Sequence, residues 1–117
     1  MNGLMNYHAG MNAEHSVERH YNAMGFECLE RRWRGKSGEV DLIMSAVTGL
    51  VFIEVKTSKT HARAFEALGA RQLARIFGAV DEYVSMLPLG LATPCRVDVA
   101  AVDDTGRVAV VENVMPQ

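Results

Sequence analysis

Cysteine is scarce in this chain: Cys28 and Cys95 are the only two, with no C-x-x-C spacing and no histidine pair beside either. That argues against a disulfide framework and a structural zinc site, and it predicts two buried thiols. No apolar run approaches the roughly 20 residues a membrane span needs. The start, Met1 to Met11, has no basic segment followed by an apolar one, so it does not read as a secretory signal. The expected location is the cytoplasm. There is no excess of positive charge either, since 12 bases against 14 acids leave a net charge of −2. Charge alone therefore does not mark a nucleic-acid binder. No glycine-rich phosphate loop is present, and Ser45, Ser58 and Ser85 lack a His–Asp partner. The four histidines, His8, His15, His20 and His61, show no metal-ligand spacing and read as surface or core residues.

What is present fits one domain. The 117 residues are 49% hydrophobic, enough for a single core and too few for two. The chain divides into a loose lead-in over residues 1–11 and one folded unit over 12–117. Its charges are unevenly placed: from Glu27 to Arg75 nine bases face six acids. By itself this is an ordinary mixed surface, but cations held by the acids would make the field there more positive.

Periodicity supplies the elements. Asn12 is placed to cap a helix running to about Met24, with Val17, Tyr21 and Met24 as its apolar stripe and Gly25 as its C-terminal glycine. A first strand follows over Phe26–Trp33, then a turn over residues 34–38. A second strand runs over Glu39–Ser45 and a third over Leu50–Thr57, joined by a turn at residues 47–49. The third strand is apolar on both faces, as a central strand is. Ser58–Arg63 reads as a loop. Leu73, Ile76, Phe77, Val80 and Val84 then fall at helical spacing in a helix from about Ala64 to Met86, which Gly69 could break in two. A proline-bracketed loop leads to strands over Arg96–Asp103 and Arg107–Glu112. The order α-β-β-β-α-β-β predicts an α/β layered domain with a mixed sheet.

The second and third strands carry the chemical signal. Alternation puts Glu39, Asp41 and Ile43 on one face of the second, and Val40, Leu42 and Met44 on the other. On the third, Phe52, Glu54 and Lys56 share a face. If Ala46 to Gly49 forms the hairpin loop, Ser45 pairs with Leu50 and Asp41 lies opposite Glu54. Directly opposed residues have Cβ atoms about 5 Å apart, close enough for two carboxylates to grip one cation. Like charges so placed destabilise a sheet, and acids among apolar neighbours need a partner. Lys56 supplies one positive charge. Mg²⁺ or Mn²⁺, which favours carboxylate, water and phosphate oxygens, would supply two. Glu-x-Lys alone on a strand is usually a surface ion pair; the upstream Asp41 is what lifts it above that reading.

Gly38-Glu-Val-Asp-Leu-Ile43 followed by Val51-Phe-Ile-Glu-Val-Lys-Thr57 resembles the bacterial YraN-like family. The similarity extends to Tyr21, Gly25-Phe26, Arg75-Ile76 and Arg96-Val-Asp-Val-Ala-Ala-Val102, covering nearly all the chain from Ala13. Members look like Holliday-junction resolvases and share the restriction-endonuclease core. The resemblance implies that Asp41 and Glu54 bind metal and that Lys56 positions the attacking water or stabilises developing charge. It matches Glu14 to an acid that the first helix brings to the metal, although an acid in a first helical turn is also favoured by the helix dipole. It matches Glu39 to a helper, and puts Gln72 near a position where the family often has lysine. Ala13 departs from the family's usual glycine, and its Phe-Gly after the lysine loop has only Phe65-Glu66 as a counterpart.

The leading expectation is a Mg²⁺- or Mn²⁺-dependent endonuclease acting on DNA, branched DNA included, with a homodimer implied by analogy with resolvases. Arg31, Arg32, Arg34, Lys36, Lys59, Arg63 and Arg75 are the candidate nucleic-acid contacts. Trp33, among the arginines, could stack on a base or cover the sheet. The alternatives are a non-catalytic nucleic-acid-binding or adaptor protein that retains the site, and a domain in which the acids and Lys56 form a structural ion-pair cluster.

Overall fold

A computed structural model describes residues 3–116, with side chains from Met11 onward. The first helix, α1, spans Gly3–Asn22. Asn12 therefore lies inside the helix and does not cap it. No proline precedes it, and Gly10 alone, costing about 1 kcal/mol relative to alanine, does not stop a helix. The expected lead-in is helical from Gly3, and its first two residues lie outside the described residues, as do the side chains of Met5 and His8. The helix ends as foreseen. Gly25 has φ +93°. Its N–H donates to Asn22 O, and that of Phe26 reaches back to Tyr21 O. This is the Schellman arrangement, in which a left-handed glycine lets the chain turn back and satisfy the last carbonyls. Tyr21 and Phe26 close it with an edge-on ring contact at 5.5 Å.

Strands β1 (Glu27–Arg34), β2 (Glu39–Ala46) and β3 (Gly49–Thr57) follow. The long helix expected next is two: α2 (His61–Glu66) and α3 (Ala70–Ser85), broken before Gly69, the N-cap of α3. A short 3₁₀ turn over Gly90–Ala92 leads to β4 (Cys95–Val102) and β5 (Val108–Val111). The sheet order is β1-β2-β3-β4-β5. Only β3 and β4 are parallel; the other neighbours are antiparallel. The α-β-β-β-α-β-β order and mixed sheet are those expected, consistent with a restriction-endonuclease-like core. Cys95 is exposed and Cys28 half-buried, so the expectation of two buried thiols fails. No described helix is long and apolar enough to cross a membrane.

The sheet buries both faces, as a sheet with a parallel pair at its centre usually does. On one face α1 lays Ala13, Val17 and Tyr21 over Leu42, Met44, Val51 and Ile53. On the other, α3 lays Ile76, Ala79, Val80, Tyr83 and Val84 over Ile43, Phe52 and Val97. Trp33 belongs to the second core, edge-on to Tyr83 at 5.2 Å. It covers the sheet rather than standing ready to stack on a base.

Candidate metal and phosphate site

The hairpin sets the site. Ala46 pairs with Gly49 and Ser45 with Leu50, and the ladder runs on through Ile43–Phe52 to Leu42–Ile53. This is the expected register, and one more step would put Asp41 opposite Glu54. The ladder stops short of that step. Asp41 Oδ2 accepts the backbone N–H of Val55 at 2.7 Å, so a side chain replaces the main chain as partner where the strands part. Alternation breaks there too. Val40 packs in the α3 core while Leu42 and Met44 pack in the α1 core, against the prediction that all three share a face. Beside this fork Arg32 has φ +52°, which is uncommon for a residue with a side chain.

Glu54 stands on the α3 side and is 7% exposed. Gln72, from α3, joins it to Lys56. The Gln72 amide donates through Nε2 to Glu54 Oε2 at 2.7 Å and accepts from Lys56 Nζ through Oε1 at 2.9 Å. Lys56 Nζ itself is 3.4 Å from Glu54 Oε2. Burial, foremost, and then the adjacent Asp41 carboxylate push the Glu54 pKa up to about 8, with Lys56 opposing them. The cause is the sharing of one poorly solvated position by two acids.

Asp41, Glu54, Glu39 and Gln72 line a cleft of about 330 Å³ together with Arg34, Lys36 and Arg75. The remaining expected residues are spread more widely. Glu14 is held by Arg32 at 3.2 Å. Its pKa is raised, mainly by burial, with Arg32 pulling it back and the Asp41 charge adding to the rise. Glu14 thus lies within electrostatic reach of the pair but is engaged elsewhere. Arg31 is locked in a two-pronged pair with Glu18 at 2.8 and 2.7 Å. Glu39 reaches Arg34 at 4.0 Å. Lys59 and Arg63 are exposed on the segment after β3, outside the cleft lining.

Two well-placed residues escaped the sequence reading. Asp98 is fully buried, and Glu82 is half-buried on α3. Asp98 had a signal available: an acid amid the apolar run of β4 must find donors inside the protein.

A divalent cation fits the pair at the fork. Two acids share one poorly solvated position, both offer hard oxygen donors, and the cleft leaves room for water and phosphate. Among the described residues no group of three His, Cys, Asp or Glu converges on one point, which Mg²⁺ does not require.

Comparison with known sequences identifies the lineage. The family described as uncharacterised protein family UPF0102 matches residues 13–102. The chain belongs to UPF0102. A UPF0102 protein of Ruegeria pomeroyi is 50% identical over 111 residues, which are 95% of this chain and 90% of that one. One from Cereibacter sphaeroides is 48% identical over 113 residues, 97% of each chain. One from Roseobacter denitrificans is 44% identical over 115 residues, 98% of this chain and 89% of the relative. The UPF0102 match spans α1 to β4 and so includes Glu14, Asp41, Glu54, Lys56 and Gln72. The family resemblance read from the sequence is borne out at this level.

Proposed function

We propose that the protein is a Mg²⁺- or Mn²⁺-dependent endonuclease that hydrolyses DNA phosphodiester bonds, branched DNA being among its candidate substrates. The observation that carries this reading is the fork between β2 and β3. It sets Asp41 against a buried Glu54 with its pKa raised, and Lys56 beside it. Asp41 and Glu54 would hold the cation, and Glu14 could join them on leaving Arg32. When bound, Mg²⁺ or Mn²⁺ supplies Lewis-acid activation of water and neutralisation of phosphate charge.

The chain's own groups do the rest. Asp41 accepts the Val55 N–H through Oδ2, which fixes the carboxylate beside Glu54. Lys56 Nζ, held by Gln72 and 3.4 Å from Glu54, is placed to stabilise charge on the scissile phosphate. Gln72 bridges Lys56 and Glu54 by hydrogen bonds, which preorganises both side chains for substrate.

The same closed bonding favours a second reading. Glu54, Gln72 and Lys56 already satisfy one another, as they would in a nucleic-acid-binding or adaptor protein that keeps the site without cutting.

The test is cleavage of labelled single-stranded, duplex, flap and four-way-junction DNA with Mn²⁺, Mg²⁺ or EDTA, by wild type, Glu54→Ala and Lys56→Ala. Metal-dependent cutting lost in both variants is the expected result. No cutting by folded wild type turns the assignment to the binding protein, and cutting that survives both substitutions refutes the site.

A further inference from the structure

The seven cations expected to contact nucleic acid divide sharply by what holds them. Arg31 and Arg32 are tied to α1 through Glu18 and Glu14. Arg34, Lys36 and Arg75 line the cleft that also holds the acid pair. Among the described residues, neither the Lys36 ammonium nor the Arg75 guanidinium is tied into an ion pair.

The turn that bears Arg34 and Lys36 is not a loose loop. Glu82, on α3, accepts the backbone N–H groups of Lys36 at 2.9 Å and Ser37 at 2.7 Å. Gly35 N–H closes the turn onto Gly38 O at 2.9 Å. The helix and turn approach so closely that a methyl group at Gly35 would meet the Glu82 carboxylate at 2.8 Å, and one at Gly78 would meet Ser37 Cβ at 2.7 Å. A methyl at Gly38 would press on Arg75 at 3.1 Å. The turn is thus clamped to α3 at several points, and Lys36 and Arg75 line one cleft. Long cationic side chains mounted on a rigid base lose less entropy on binding an anion than the same chains on a mobile loop.

We infer that the β1–β2 turn, held by Glu82 against α3, forms with Arg75 a preorganised clamp for nucleic-acid backbone phosphates, which lays the strand across the Asp41–Glu54 fork. The inference rests on the nuclease reading for the location of the reacting phosphate. Phosphates are its ligand chemistry, so it contacts DNA and RNA alike and reads no base. Glu82 touches no substrate; it is a positioning residue, and its carboxylate is already spent on two backbone donors.

The experiment measures binding without cutting. Fluorescence anisotropy follows labelled DNA duplex, single-stranded DNA and RNA of one sequence, in EDTA, across a salt series. Lys36→Ala and Arg75→Ala should each weaken binding roughly 3- to 10-fold at low salt and lower the salt slope by about one. Arg31→Ala, which removes a cation already paired with Glu18, should change neither by as much. Glu82→Gln is the decisive variant. It removes a negative charge, so simple attraction predicts tighter binding, whereas the clamp predicts weaker binding with a shallower salt slope. Tighter or unchanged binding by Glu82→Gln overturns the clamp. So do equal losses for Arg31→Ala and Lys36→Ala, or no binding by wild type. The clamp survives if binding behaves as described and no DNA is cut; that result refutes the nuclease alone. Tighter binding to RNA supports the clamp and moves the substrate away from DNA.

Discussion

Glu54 and Asp98 are the two buried acids of the described core, and they are treated in opposite ways. They sit one step apart in the parallel β3–β4 register, since Ile53 pairs with Asp98 and Glu54 with Val99. Asp98 faces α1 and Glu54 faces α3. Asp98 accepts from Tyr21 Oη at 2.6 Å, from Arg96 Nε at 3.0 Å and from the backbone N–H of Asn113 at 2.9 Å. Its donors come from α1, from β4 and from the chain just after β5, so one carboxylate ties together distant parts of the fold. Glu54 instead has a second acid as neighbour and a lysine that is already shared. Equal burial therefore does not mean an equal role. A buried acid surrounded by donors is finished, whereas one beside another acid holds its proton to higher pH.

Removing the finished acid should cost most. Asp98→Ala strands the Tyr21 hydroxyl and the Asn113 amide and leaves Arg96 with Glu112 as its ion-pair partner, and should destabilise the fold by about 3 kcal/mol, read from denaturant unfolding. A loss no larger than that of an exposed substitution would remove the contrast altogether.

The poised acid should respond to pH in a way that most paired carboxylates do not. The folded-state pKa of Glu54, about 8, lies above the ordinary 4.5, so the folded protein binds the proton more tightly than the unfolded chain. That contribution is complete below about pH 4.5 and is lost as pH rises through 8. Metal-free protein should thus lose thermal stability between pH 5 and 8, a window spanned by that shift. Mn²⁺ should restore more stability at the upper end, where the pair is ionised and free to bind. Glu54→Gln, a mimic of the protonated acid, should flatten the metal-free profile and abolish the Mn²⁺ gain. A profile identical to wild type would show that Glu54 is as settled as Asp98.

The smallest effect sharpens the comparison from the other side. Tyr21→Phe withdraws one of several donors from Asp98 and should cost about 1 kcal/mol by thermal unfolding, with no change in the Mn²⁺ response.

The legible parts of this protein were those encoded over a few residues. The Ala46–Gly49 turn fixed the hairpin register and so the approach of Asp41 to Glu54. Gly25 announced the end of α1, and the α3 stripe was plain in its spacing. What stayed hidden depends on contacts between segments far apart in the chain. Strict alternation misplaced Val40 because nothing local reveals that Asp41 substitutes its carboxylate for a ladder bond. The start of α1 was missed because residues 3–11 carry neither an apolar stripe nor a breaker. Gln72 stood out by position alone, and its bridge between Glu54 and Lys56 exists only once α3 lies on the sheet. Likewise the seven cations looked equivalent until α1 claimed Arg31 and Arg32 through Glu18 and Glu14, and Glu82 gave no sign of its hold on the β1–β2 turn.

The hydrogen bond from Val55 N–H to Asp41 Oδ2 makes one backbone amide a built-in gauge of the site. An amide donor is sensitive to the charge on its acceptor, so the nitrogen–proton resonance of Val55 should shift whenever the acid pair gains a proton or a cation. Its exchange with solvent deuterium should slow when the fork is held shut. A cation bound at the fork would thereby be read from the main chain of a central strand, without a dye, a substrate or any chemical turnover.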